Sequence, residues 1–349
     1  MVTTSLSSDT LKALSEITVT GEVRDGNGKL AGNFNGTVFP TVFDKPLEIQ
    51  TLGNDGDPPI IFYLQKNQIH KGTVQVTGGT FFFSFIVPKD IAYKYGQGKI
   101  SYYARSAETD ANGFDGSIVV GGFDASAKTD DQGPDINLYM NTPNFTSGGI
   151  TNQNPAMLAY VSDESGINTV GNGIGHDITA VLDGDSQNPL ILNDYYVANI
   201  DTYKEGQITY PFFNLTEGIH SLHLKVWDVF NNSSEAAISF KVVNSSDYVI
   251  GHLYNYPNPF QYATQFSFET NQTLVNLEVE IRIFTLYGRL LRTLKQTVFA
   301  HGYRIEPIQC DGTIDGGSRI STGTYIYQAL VRLPDGTTER KSAKLVVIR

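Results

Sequence analysis

Apolar and polar positions alternate along most of this chain. Ile17, Val19 and Gly21 are interleaved with Thr18, Thr20 and Glu22, and Val74-Gln75-Val76-Thr77 repeats the rhythm. Phe81, Phe83, Phe85 and Val87 share one parity, with Ser84 on the other. Leu222, Leu224 and Val226 oppose His223, Lys225 and Trp227, and Leu277, Val279, Ile281 and Ile283 oppose Glu278, Glu280 and Arg282. Tyr325, Tyr327, Ala329 and Val331 continue the series. A period of two is what a strand needs when one side meets a core and the other meets water. Glycine follows Asp or Asn at Asp25-Gly26, Asn27-Gly28, Asn35-Gly36, Asp183-Gly184 and Asp335-Gly336, which supplies tight turns between strands. One short stretch, Asp9 to Leu14, predicts a helical turn; no sustained helical period is present. The fold class expected is all-β.

The strands group into three segments, each long enough for a sandwich of about 100 residues. The first spans residues 1–124. Asp124 to Pro134, polar and rich in Asp, reads as a linker. The second spans 135–247, opening at Asp135-Ile136-Asn137-Leu138, closing on Ile238 to Val242 and ending in the polar joint Asn244 to Asp247. The third spans 250–349; Tyr256-Pro257-Asn258-Pro259-Phe260 predicts extended chain leading into its first strand, because proline excludes helix there. Three consecutive Ig-like β-sandwich domains are expected.

Charge narrows the partners. With 25 Lys and Arg against 36 Asp and Glu, the net charge is −11, which disfavours nucleic acid and anionic membrane surfaces. A single cysteine excludes an intrachain disulfide and a cysteine zinc cage. No apolar run is long enough for a transmembrane helix. Met1-Val2-Thr3-Thr4 does not open a signal peptide, so the chain is expected to be cytosolic or part of something longer.

Catalytic motifs are sparse. Cys310, nine residues after His301, is the one thiol; a Cys-His dyad is one reading and a buried strand cysteine is the favoured one. No Gly-x-Ser-x-Gly, His-Glu-x-x-His, Walker or dinucleotide motif occurs. Gly171-Asn172-Gly173-Ile174-Gly175-His176 lacks the helix a phosphate cradle needs and reads as a loop. His220 and His223 would point to opposite faces of a strand, against joint metal ligation. Acidic turns at Asp55-Gly56-Asp57, Asp130-Asp131, Asp163-Glu164 and Asp183-Gly184-Asp185 make Asp163, Glu164, Asp183 and Asp185 candidate calcium ligands, with solvated turn carboxylates preferred. Tyr195, Tyr196 and Trp227 are candidates for a sugar platform.

Several strings resemble the PorU family. They are Val161-Ser162-Asp163-Glu164-Ser165-Gly166-Ile167-Asn168, Gly173 to Asp183, Leu192 to Tyr196, and Leu224-Lys225-Val226-Trp227-Asp228-Val229-Phe230-Asn231-Asn232-Ser233. Val87 to Ile91 and Gly98 to Arg105 fit the same pattern. The resemblance covers nearly the whole chain. It implies the portion following the peptidase domain of a gingipain-like cysteine endopeptidase, the sortase of the type IX secretion system in Bacteroidetes. It gives no catalytic residue within this chain, because the family's His and Cys belong to an α/β domain of which no pattern is present. The export signal would then lie upstream.

The last segment adds a second resemblance. Tyr256 to Phe260, Ile283 to Arg289 and Ser321 to Tyr327 are similar to FlgD-like Ig modules and type IX C-terminal domains, where Trp usually stands at the position of Cys310. This implies retention at the cell surface, associated with the outer membrane, by docking to a β-barrel partner of the PorV type within the type IX attachment complex. The docking candidates are Lys344, Leu345, Val346, Val347 and Ile348, on the terminal strand. A stand-alone surface adhesin or carbohydrate-binding sandwich protein is the alternative. No cofactor is expected apart from the calcium candidates.

Overall fold

The computed structural model describes every residue except 55, 170–174, 244–249, 273–274, 301–302 and 349. Among the described residues the chain is strand and loop, with one 3-10 turn at Asn193–Tyr195. No helix among them is long and apolar enough to cross a membrane. The chain divides into two compact units. One contains Met1–Leu138, Ala159–Thr209 and His223–Ala237; the other contains Tyr139–Leu158, Tyr210–Leu222 and Ile238–Arg349.

In the first unit, Val2–Leu6, Glu16–Glu22 and Thr80–Ile86 form one sheet, in that order. Asp110–Asp115, Lys99–Ser106, Gly36–Phe43 and Gln68–Lys71 form another, and Val74–Val76 also pairs with Gly36–Phe43. Their facing sides bury Ile17, Val19, Val38, Val42, Phe81, Phe83, Phe85, Ile100 and Tyr102. Each such side chain contributes roughly 1.5–3 kcal/mol when removed from water. Gly21 sits opposite Phe81 in the ladder, and a Cβ there would overlap the Phe81 ring, so only glycine fits. His70 stacks on Phe85 with ring centroids 4.5 Å apart; burial pushes its pKa down to about 3 and holds the imidazole neutral.

The expected helical turn at Asp9 to Leu14 is corrected. Thr10–Ala13 is a strand, paired in parallel with Val119–Phe123 and burying Leu11 and Ala13. Only two buried positions fit in so short a run, and spacing alone does not separate them from a helical turn. Leu14, at φ 65°, breaks the run before a helix can propagate.

Residues 124–134 carry no strand. Beyond them lie a four-stranded sheet, from Asp135–Met140 through Ala156–Ser162 and Glu205–Pro211 to Tyr196–Ala198, and a five-stranded sheet containing Gly218–Trp227 and Ser233–Val242.

The second unit includes the sheet Ile250–Tyr256, Thr264–Thr270 and Ile308–Cys310 and the sheet Leu290–Ala300, Val275–Thr285, Gly323–Arg332 and Thr338–Val347. Phe266, Phe268, Leu277, Ile281, Ile283, Tyr327, Ala329 and Leu345 fill its core. The extended lead-in expected at the two prolines is corrected: Ile250–Tyr256 is already the first strand, and Pro257 and Pro259 follow it. A register shift between Gly251 and Tyr254 interrupts its alternation, which hides it from a period-two reading. Asn255 Nδ2 donates to Thr264 Oγ1 (3.0 Å), and that hydroxyl donates to the Pro257 carbonyl (2.8 Å), fixing the turn.

Past the turn, Asn258 acts as a piece of backbone. Its Nδ2 donates to the Lys344 carbonyl (3.0 Å), and its Oδ1 accepts the Val346 N–H (2.9 Å). Phe260 continues the pairing, donating to Val346 O (3.0 Å) and accepting from Ile348 N–H (2.9 Å). Asn258→Ala removes two hydrogen bonds from this edge and is expected to cost about 1–2 kcal/mol. Denaturant unfolding should show that loss together with faster amide exchange at Val346; an unchanged Val346 amide would refute the clamp.

Candidate functional site

Two of the strings that carry the PorU resemblance, Val161 to Asn168 and Leu224 to Ser233, meet in space in the first unit. Asn168 N–H donates to Trp227 O (2.8 Å) and Val229 N–H to Gly166 O (3.1 Å). Both turns are shaped by an aspartate. Asp163 Oδ1 accepts the backbone N–H of Ser165 (2.7 Å) and of Gly166 (3.0 Å). Asp228, fully buried, accepts the backbone N–H groups of Phe230 (2.9 Å) and Asn232 (2.7 Å), and Asn232 Nδ2 as well (2.7 Å). The linker adds Asp130, whose Oδ2 accepts the Ser165 hydroxyl and whose carbonyl accepts Asn232 Nδ2 (3.1 Å).

Carboxylate oxygens of Asp130, Asp163 and Asp228 all lie within 4.8 Å of one another. That spacing is compatible with oxygen ligands around one calcium ion. Of the four calcium candidates, only Asp163 belongs to this group. Glu164 turns out to solvent and pairs with Lys204 (2.8 Å), while Asp183 and Asp185 sit in the exposed turn after Leu182. Spacing does not single out Asp228, which follows an alternating strand, and it marks Asp130-Asp131 only as an acidic turn, because a linker's landing point is not encoded in spacing. Asp55 lies outside the described residues.

Burial, with Asp228 and Asp130 nearby, raises the Asp163 pKa to about 6. Burial likewise pushes Asp228 up. A carboxyl whose folded pKa exceeds its unfolded value stabilises the fold in its protonated form, and that contribution is lost as pH rises through about 6.

Other candidates are dispersed. Cys310 is 2% exposed, paired with Thr264 across the ladder, and burial raises its thiol pKa, which lowers its thiolate fraction. His301, Asn244 to Asp247 and Gly171 to Ile174 lie outside the described residues. His223 points outward, whereas His220 stacks on Phe240 and pairs through Nε2 with the Thr216 carbonyl (2.7 Å). Tyr195 is exposed but Tyr196 is buried. Trp227 is half-buried against His176, 4.4 Å between ring centroids, under the Lys225 ammonium. These three aromatics do not form a shared exposed platform.

On the terminal strand, Leu345 and Val347 are core residues, while Lys344 and Ile348 are exposed. Asn258 and Phe260 already engage the outward Lys344 carbonyl, both backbone groups of Val346 and the Ile348 N–H.

A surface not foreseen from sequence is the hairpin of Leu47–Gln50 and Ile61–Leu64, whose strands, among the described residues, pair only with each other. Ile61 is 54% and Tyr63 68% exposed, and Leu47, Phe62 and Leu64 are also exposed. An isolated two-stranded hairpin is marginal in water, and one with apolar residues on both faces marks a contact surface.

No protein-family model and no curated relative matches the chain. Among solved structures it is similar to dimeric latent PorU from Porphyromonas gingivalis, at 33% identity over 97% of this chain and 32% of that one, with TM-score 0.41. The chain thus spans about a third of PorU's length. It also aligns with a Bacteroides ovatus mixed-linkage glucan utilisation protein bound to a heptasaccharide, at 13% identity over 93% of this chain and 68% of that one, TM-score 0.28. A bacterial ice-binding adhesin aligns at 10% identity over 97% and 94%, TM-score 0.22.

Replacing Asp163 by Asn keeps the acceptor for Ser165 and Gly166 but removes one charge from the cluster. At pH 8 the variant is expected to gain about 1 kcal/mol after allowance for solvent screening, and to gain nothing at pH 4. Urea unfolding at the two pH values checks this; equal effects at both would refute the cost of holding the Asp163 charge in this half-buried cluster. Over nearly its whole length, then, this chain is similar in sequence to about a third of PorU.

Proposed function

We propose that this chain is the scaffold and outer-membrane docking region of a PorU-like sortase, with the peptidase centre outside these residues. The parent would be a gingipain-like cysteine endopeptidase at the cell surface, cleaving C-terminal signals from type IX cargo and joining the cargo to surface lipopolysaccharide. The supporting observation is 33% identity to PorU across 97% of the chain. Residues 250–349 then serve as the C-terminal docking domain and meet a PorV-type β-barrel. A buried Cys310 with a raised pKa fits a packing role in that domain. In a pull-down with the purified barrel protein, the full chain is expected to be retained and residues 1–249 to pass through. Retention of 1–249 alone would defeat the docking assignment.

The hairpin favours a second role in the same region, self-association. The PorU structure is that of a dimer, and the bare apolar hairpin is a surface suited to being covered by a partner. The double variant Ile61→Asp, Tyr63→Asp is expected to leave the thermal midpoint unchanged while shifting light-scattering mass toward monomer. Identical mass profiles for variant and parent at all concentrations would remove the hairpin from that role.

A further inference from the structure

The docking reading leaves open where on the terminal strand a partner would bind, and through what chemistry. In an antiparallel ladder both backbone groups of a residue face the same side, and the side alternates along the strand. Val346 turns its N–H and C=O outward, to Asn258 and Phe260. Lys344, Ser342, Arg340 and Thr338 therefore turn theirs outward too. The Lys344 carbonyl is taken by Asn258. Among the described residues, no hydrogen bond reaches the outward N–H and C=O of Ser342 or Arg340. The opposite edge of the same sheet is closed at the same end: Asp315 N–H donates to Leu291 O (2.9 Å), and Thr293 N–H donates to Asp315 Oδ1 (3.3 Å). The sheet is thus sealed at one end, and its terminal strand is open further along.

The open stretch is basic in an acidic protein. Arg340, Lys341 and Lys344 lie within five residues, and Glu339 is the one carboxylate on the strand. None of the three cations has an ion-pair partner among the described residues; Lys341 Nζ donates to the Ile250 carbonyl instead (3.1 Å). Arg332 stands across from Thr338 on the neighbouring strand, one diagonal step from Arg340. Charge on an edge strand normally discourages pairing with another copy, and like charges would oppose each other if two of these edges met. The same charges attract a strand of opposite sign.

We infer that Thr338–Ala343 is a docking edge for an extended acidic segment of a partner protein, added as a further antiparallel or parallel strand beside Arg340 and Ser342. Backbone pairing would supply affinity, and Arg340 and Lys344 would select carboxylates on the incoming strand. The inference rests on the docking reading and shifts its location upstream from Lys344 to Ile348.

The test uses the full chain and two ten-residue peptides, one alternating Glu with Val and one alternating Lys with Val. Amide exchange is followed by NMR. The acidic peptide is expected to slow exchange at Arg340 and Ser342 at least tenfold, with the basic peptide leaving both unchanged. Ser342→Pro removes an outward donor and should abolish the protection. The double variant Arg340→Glu, Lys344→Glu keeps every backbone group and should reverse the peptide preference. Equal protection by both peptides, protection elsewhere but not at these amides, or an unreversed preference would overturn the edge assignment. Capture of the barrel protein by the charge-reversed variant at parental strength would overturn it too, while leaving docking intact; loss of docking itself is read separately, from the full chain failing to capture the barrel.

Discussion

Unpaired backbone at the edges of sheets is the constraint this protein answers at every level. The described chain uses no α-helix to cover a flank, so each sheet must end in loops, side chains or water. The Asn258–Phe260 segment shows the solution most plainly. A side-chain amide reproduces the donor and acceptor of a peptide unit, and one further residue of real backbone completes the cover. Asp315 does similar work on the opposite edge, with a carboxylate and its own N–H. Where such cover stops, a surface available to a partner begins.

The same economy governs the turns. Asp163 and Asp228 spend their oxygens on backbone N–H groups that the tight chain reversal leaves without partners. Each turn is satisfactory alone. Bringing them together, with Asp130 from the linker, half-buries Asp163 beside two other carboxylates, and burial first, then their charge, raises its pKa. The PorU-like strings therefore mark two local turn solutions whose electrostatic consequence emerges only when they pack.

Alternation made the interiors of the sheets legible. Phe81, Phe83 and Phe85, or Leu277, Val279, Ile281 and Ile283, are buried because a strand with one wet face permits only that parity. Where alternation was too short or interrupted, the reading failed: Thr10–Ala13 offers two buried positions, and Ile250–Tyr256 is broken by a bulge. The calcium candidates divided in the same way. Asp163 joined a cluster and Glu164 did not, although adjacent residues on an extended chain look equivalent in the sequence.

What the sequence by itself determined is the class of fold, the faces of the strands and the turn chemistry, because each depends on residues within a few positions of one another. What only the tertiary structure decided is which carboxylates share space, which edge is covered and which is open, and that one hairpin keeps its apolar side chains in water. These depend on contacts between residues far apart in the chain, such as Asn258 with Val346 or Asp130 with Ser165. Local periodicity carries no information about such distances; the closing of loops in space supplies it.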